Sequence, residues 1–268
     1  MCDTCGCNVT AGNRHLLTAG GHVAKTAAGN ESVEVLKGLL DANDRQARHN
    51  RDHFDRHHVL AVNLMSSPGA GKTSLLEATI DALGEGARIA VIEGDLETEN
   101  DAIRIRDKGV PAIQISTGNA CHLDAHMVHT ALQNLSLAGF DVVFIENVGN
   151  LVCPASFDLG QHLNVTLLST PEGHDKPAKY PVMFRAADLV LITKSDLLDV
   201  LDDFDPMIAA RYLRQLANPA PVIEISARSG TGIRDWLDWI RDEFTHRQLG
   251  GESADALDVS PRTRAGSV

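Results

Sequence analysis

The sequence predicts an α/β fold, a mostly parallel sheet with helices on both faces. Two observations carry that expectation. Apolar, β-branched runs recur at 58–65, 87–93, 111–116, 140–147, 163–169, 188–193 and 221–226, and helix-like patterns follow most of them, near 72–84, 97–108, 122–133, 205–217 and 231–247. The runs are also near-continuous rather than alternating, as expected of parallel strands covered on both sides. Ligands of such sheets bind outside the carboxyl ends of the strands.

In chain order, Cys2, Cys5 and Cys7 crowd into the opening "MCDTCGC". Residues 8–31 are rich in Gly, Ala, Asn and Thr without sustained periodicity, which reads as a flexible linker. Residues 1–31 are therefore expected to form a metal-binding arm. From Ser32, an N-cap residue, to about Phe54 the pattern is helical, with Val33, Leu36, Leu39 and Leu40 on one side. One domain, leading helix included, is expected over 32–248. Residues 249–268 read as a disordered tail, and there is no internal repeat.

With 268 residues, 43% of them hydrophobic, the chain can build one large core plus extensions. Its net charge of -12 and the lack of a basic run exclude nucleic acid as an expected partner. No apolar run approaches the roughly 20 residues of a membrane span, and no export signal is visible, so a cytoplasmic protein without membrane attachment is expected. In a reducing compartment, the five cysteines are ligands or catalysts sooner than disulfides.

After the first strand comes "SSPGAGKTS". Gly71, Lys72 and Thr73 fit the phosphate-loop pattern, with Ser66 in place of its first glycine. The loop Ser67, Pro68, Gly69, Ala70, Gly71, Lys72, Thr73 and Ser74 would turn backbone N–H groups toward phosphate oxygens. The helix starting near Lys72 adds its positive dipole end. Lys72 would reach the β- and γ-phosphates and Thr73 would bind Mg²⁺. Mg²⁺ needs further hard oxygen ligands. "VIEGD" places Glu93 and Asp95 at the end of the second strand, and "FIENVG" places Glu146 at the end of the fourth, followed by Gly149.

"LITKSD" holds Thr193, Lys194 and Asp196, and "EISARSG" holds Ser226 and Ala227. A carboxylate at Asp196 can accept from N1–H and the exocyclic amine of guanine, whereas adenine would leave it unpaired. Lys194 would lay its aliphatic stem over the base, and the backbone of Ser226 and Ala227 would meet guanine O6. The set is similar to the N-K-x-D and S-A elements of P-loop GTPases, with Thr193 in place of the usual asparagine.

Cys121, beside His122 in "GNACHLDA", and Cys153, in "NLVCPASFDLG", both follow predicted strand ends. Cys121 is expected at a helix start, where the dipole favours thiolate. Two thiolates and an imidazole suit Zn²⁺ or Ni²⁺ better than Mg²⁺. His126 and His129 follow on the same helix and read as surface residues. His49, His53 and His57, spaced four apart in "RHNRDHFDRHH", form either a loose metal-retention face or, as the interleaved Arg and Asp favour, a solvated helix. Cys2, Cys5 and Cys7 leave one ligand position open, which the terminal amine would fill in an S₃N set for Ni²⁺ or Zn²⁺.

The opening CxxCGC, SSPGAGKT, VIEGD, GNACHLDA, FIENVGNLVCPASFDLG, DKPAKYP, TKSD and SA together resemble the HypB family of hydrogenase nickel-incorporation proteins over nearly the whole chain. The resemblance implies a P-loop NTPase of the SIMIBI class (signal-recognition and MinD-like) that binds GTP and GDP and helps load nickel into [NiFe] hydrogenase. It implies a GTP-dependent homodimer, Cys121, His122 and Cys153 as G-domain metal ligands, and Cys2, Cys5 and Cys7 as a high-affinity nickel site. Implied partners are the hydrogenase large-subunit precursor and a companion nickel/zinc maturation protein. Lys176 of DKPAKYP is a candidate for nucleotide contact across the dimer. Lys72, Thr73, Asp95 and Glu146 are the expected catalytic set, and slow hydrolysis is expected, since no water-positioning glutamine or arginine finger is evident. The rival readings are a urease-accessory-type metallochaperone GTPase, a small-molecule kinase or MinD-like ATPase, and a metal buffer without enzymatic activity.

Overall fold

The computed structural model describes residues 32–84, 88–95, 99–118 and 120–255. The predicted arm and linker (1–31), with Cys2, Cys5 and Cys7, lie outside the described residues, as does the tail from 256. The seven expected strands are all present: β1 Leu60–Ser66, β2 Ile89–Asp95, β3 Ala112–Ser116, β4 Val142–Glu146, β5 Leu163–Ser169, β6 Leu189–Thr193 and β7 Val222–Ile225. They form one sheet in the order β3-β2-β4-β1-β5-β6-β7, and every neighbouring pair is parallel.

The helices are α1 Ser32–Arg56, α2 Lys72–Leu83, α3 Asn100–Asp107, α4 Ala125–Leu132, α5 Lys176–Lys179, α6 Pro181–Arg185, α7 Pro206–Gln215 and α8 Ile233–Asp255. α5 and α6 are single turns in DKPAKYP and the residues after it, too short for periodicity to reveal. α8 continues past its expected end at 247 to Asp255.

The two faces of the sheet follow from strand pleating, which sends alternate side chains to opposite sides. Leu60, Val62, Leu64, Val91 and Phe144 point into a core with Leu76 of α2, Ile105 of α3 and Trp236 of α8. Ala61, Ala90, Ile92, Val143 and Ile145 meet Phe54 of α1 and Val128 and Leu132 of α4. Leu168, Val190 and Ile192 pack against Phe184 of α6 and Leu213 of α7. The central strands β1, β4 and β6 are buried along their whole length. Their carboxyl ends, where the apolar runs give way to Ser66, Glu146 and Thr193, form the rim on which polar chemistry gathers. Among the described residues no helix is long and apolar enough to cross a membrane.

Candidate nucleotide and metal site

The loop after β1 gets its shape from two glycines. Gly69 (φ 74°) and Gly71 (φ 96°) adopt left-handed backbone that L side chains rarely adopt. Gly71 is the N-cap of α2, so the helix begins at Lys72 with its first amides facing the loop. Lys72 is buried; its ammonium donates to Ser66 Oγ at 3.0 Å and lies 3.9 Å from Glu146 Oε1. The serine replacing the first glycine of the pattern thus gives the lysine an oxygen partner. Thr73 Oγ1 donates to Glu146 Oε1 at 3.0 Å. Pro68, Gly69, Gly71, Lys72, Thr73, Ser74, Glu146 and Gly149 share one cleft of about 440 Å³. Gly149 is there because of close approach: a Cβ on it would stand 2.8 Å from Pro68 Cα.

Glu93 and Glu146 are register partners on adjacent strands and are 1% and 4% exposed. Burial, then the neighbouring Glu146, pushes Glu93 up to about 11. Burial also raises Glu146, against the pull of Lys72 and the hydrogen bonds from Glu93 and Thr73. One oxygen of each carboxylate is buried without a hydrogen-bond partner. Two buried acids with orphaned oxygens beside a threonine hydroxyl form a hard donor set that fits Mg²⁺. The third member of the cluster is a residue that the sequence does not single out. Donor atoms of Glu93, Asp101 and Glu146 lie within 4.8 Å of one another, whereas Asp95, expected as a ligand, lines the same cleft outside that group. Asp101 belongs because it sits in the first turn of α3, beyond the end of β2. Single-sequence patterning did not fold that turn back over the strand. Arg104, one turn further, is also at this rim, bonded to Asp101 at 2.9 Å and Glu77 at 2.6 Å.

A neighbouring pocket of about 240 Å³ shares Gly71, Ser74 and Lys194 with the phosphate cleft and is lined by Ala70, Thr193, Asp196, Ser226 and Ala227. The threonine departure has a structural reason. Thr193 Oγ1 donates to Ala70 O at 2.7 Å, which fastens the end of β6 to the phosphate loop. Lys194 has left-handed backbone (φ 57°), and its ammonium donates to Gly69 O at 2.8 Å, so its stem spans the space between loop and pocket. Ser226 Oγ donates to Asp196 Oδ1 at 2.6 Å and holds that carboxylate. Lys176, on α5, directs its ammonium at the Tyr180 ring, 5.6 Å from its centroid, and does not line either pocket.

The expected thiolate–imidazole group assembles. Cys121 Sγ lies 3.2 Å from Cys153 Sγ and 3.8 Å from His122 Nδ1. Burial lowers His122 from 6.5, which keeps its imidazole neutral and able to ligate. Its ring stacks on Phe157 with centroids 3.9 Å apart, so the PASFDLG segment that follows Cys153 orients the histidine. The helix-start argument for Cys121 does not hold. α4 begins at Ala125, and its N-cap Asp124 accepts from Met127 N–H, so Cys121 precedes the helix and its dipole.

Two links join this group to the phosphate cleft. Asn147, next to Glu146, accepts from the Leu123 N–H at 3.1 Å, two residues from Cys121, and donates to Asn63 of β1 at 3.2 Å. Gly94, next to Glu93, lies under Leu123: a Cβ there would stand 2.7 Å from the leucine side chain.

The model of the CobW/HypB/UreG nucleotide-binding domain matches residues 60–224. The chain is 52% identical over 227 residues to the hydrogenase maturation factor HypB of Azotobacter chroococcum, covering 85% of this chain and 72% of the relative. It is 53% identical over 208 residues to that of Azotobacter vinelandii, covering 78% and 68%. This chain belongs to the HypB family. The crystal structure of HypB from Helicobacter pylori in complex with nickel matches it with a TM-score of 0.73 at 40% identity, covering 76% of this chain and 96% of that one. The SIMIBI-like P-loop fold expected from the sequence is the fold observed.

Proposed function

We propose that the chain is a GTP-hydrolysing nickel metallochaperone that assists nickel insertion into [NiFe] hydrogenase. The observation that carries this reading is the contact of Asn147 with Leu123, which connects the carboxylate of the phosphate cleft to the segment bearing Cys121 and His122. The names of the relatives, hydrogenase maturation factors, and a neighbour crystallised with nickel support it.

In this reading the cleft holds the phosphates of GTP or GDP, and the adjoining pocket holds guanine on Asp196, Lys194, Ser226 and Ala227. Thr73, Glu93, Asp101 and Glu146 would hold Mg²⁺, which neutralises developing phosphate charge when bound. Lys72 leaves Ser66 to reach the β- and γ-phosphates. Asp95 stands at the rim, where a contact through water to the cation is open to it. Any movement of Glu146 pulls on Asn147 and Val148, and so on the chain leading to Cys153. Nickel, the cargo, is held by Cys121, Cys153 and His122, which also accept Zn²⁺. Cys2, Cys5 and Cys7 provide the high-affinity site on the arm, joined to the GTPase domain by the linker. Turnover is slow, on the order of 10⁻³ s⁻¹ without a partner, and the GTP state is a homodimer in which Lys176 meets the partner's nucleotide. The recipient is the hydrogenase large-subunit precursor, served with a companion nickel/zinc maturation protein in the cytoplasm.

The test is nickel transfer to the apo large-subunit precursor with GTP. Lys72→Ala is expected to abolish it while leaving nickel loading of the thiolates intact. Unchanged delivery by Lys72→Ala would instead identify a metal buffer.

A further inference from the structure

The histidines that the sequence left as a solvated helix face come together with those of a second helix. α1 and α4 lie side by side over the sheet. His49 of α1 and His129 of α4 meet with ring centroids 5.1 Å apart, edge to face. His53 and His57, one turn apart on α1, meet in the same way, also at 5.1 Å. His53 is one turn from His49 on α1, and it feels the charge of His57 first, then of Arg56, His49 and His129.

One atom in this group lacks what a buried polar atom needs. His129 Nδ1 is buried without a hydrogen-bond partner, while the opposite ring nitrogen, Nε2, stands 3.3 Å from the side-chain amide of Gln133. A ligating histidine has one nitrogen held by a partner and the other without one, and His129 meets both conditions. The amide orientation follows the tautomer, so Gln133 Oε1 can accept from Nε2–H and leave Nδ1 its lone pair.

We propose that His49, His53 and His129 form an all-imidazole site for a late first-row divalent cation such as Ni²⁺, separate from the thiolate group. Two histidines four apart on one helix present nitrogens to the same ion, as in helical zinc sites. His129 supplies the third from across the helix pair. Imidazole suits nickel, copper and zinc and disfavours Mg²⁺. Burial lowers His53 and His129 from 6.5, each helped by neighbouring histidines, so both are neutral ligands at neutral pH. The donor atoms of the three histidines do not yet converge within 4.8 Å, so capture requires the exposed His49 ring and the His53 ring to rotate out of their edge contacts with His129 and His57. The site does not depend on nucleotide, so it stands or fails independently of the proposed GTP coupling.

The experiment titrates Ni²⁺ alone into the full chain with all five cysteines replaced by serine. One bound ion is expected, with affinity reduced at least about tenfold by His129→Ala and by about tenfold in Gln133→Leu. A second arm keeps the cysteines. There, His53→Ala with His129→Ala is expected to lower nickel stoichiometry by one and leave GDP binding unchanged. Absence of Ni²⁺ binding by the thiol-free chain, or stoichiometry unchanged by the double substitution, overturns the proposal.

Discussion

At Gly149 a missing side chain is the functional feature. Its Cα passes so close to Pro68 that alanine would drive a methyl group to 2.8 Å from Pro68 Cα. The phosphate loop must then shift. Overpacking of this kind costs about 1–3 kcal/mol, so Gly149→Ala is expected to weaken GDP binding about tenfold or more in a fluorescent-nucleotide titration; wild-type affinity would show that the loop yields freely. His162 makes a different residue-scale prediction. Burial, then Arg247, pulls it from 6.5 to about 4, against the opposing effect of Asp55. Its Nδ1 accepts from Ala61 N–H at 2.9 Å. A folded-state value below the unfolded one means that the unfolded chain takes up the proton first. The contribution is therefore full above about pH 6.5 and lost as pH falls toward 4, about 3 kcal/mol in all. The melting temperature of wild type should fall more steeply over that window than that of His162→Gln, and parallel curves would contradict the assignment. The sequence did not reveal this histidine, because its burial depends on α1 and α8 closing over the end of β1.

Among the elements, α1 has a role that its sequence pattern does not announce. Two buried asparagines on it bridge the segments that carry the candidate metal ligands. Asn43 accepts from Ala125 N–H at 2.9 Å and donates to Asp158 O at 2.8 Å. Asn50 donates to Ala125 O at 2.8 Å and Leu159 O at 3.0 Å. Arg51 adds a hydrogen bond to Asp158 at 2.8 Å. Asn50→Ala removes two buried hydrogen bonds, at a cost of about 1 kcal/mol each. It should weaken nickel binding at Cys121, His122 and Cys153 while GDP affinity stays at the wild-type value; equal loss of both would reduce α1 to general scaffolding. The strands were legible to within a few residues because burial of the central ones gives unbroken apolar runs. Each short helix was missed for want of a repeating period. α8 was legible as a helix to 247, but its hold on the core was not: Trp236 reaches Thr79 Oγ1 at 3.0 Å across the core. Trp236→Ala is expected to cost about 3–5 kcal/mol in urea denaturation; a loss below 1 kcal/mol would mean that the helix contributes little to the core.

For the molecule as a whole, one sheet edge carries a phosphate loop and a Cys–His cluster side by side. The strand ends explain how much of this the sequence revealed. Ser66, Glu93, Glu146 and Thr193 could be placed because each closes an apolar run. Cys121 and Cys153 could be placed near that edge but not paired, since their 3.2 Å approach depends on loop paths. Asp101 and Asn147 were missed because their importance lies in what they touch, not in any motif. Asn147 and Gly94 both touch the Leu123 segment, one through a hydrogen bond and one through close packing, and the proposed coupling runs through these two contacts. Such coupling is reciprocal: whatever GTP does to nickel, nickel does to GTP. The most direct measurement is nickel affinity of the GTPase-domain thiolates in the full chain with Cys2, Cys5 and Cys7 replaced by serine, bound first to GDP and then to a non-hydrolysable GTP analogue. The predicted result is a difference of about fivefold or more that shrinks in Asn147→Ala. Equal nickel affinities in the two nucleotide states would contradict the account.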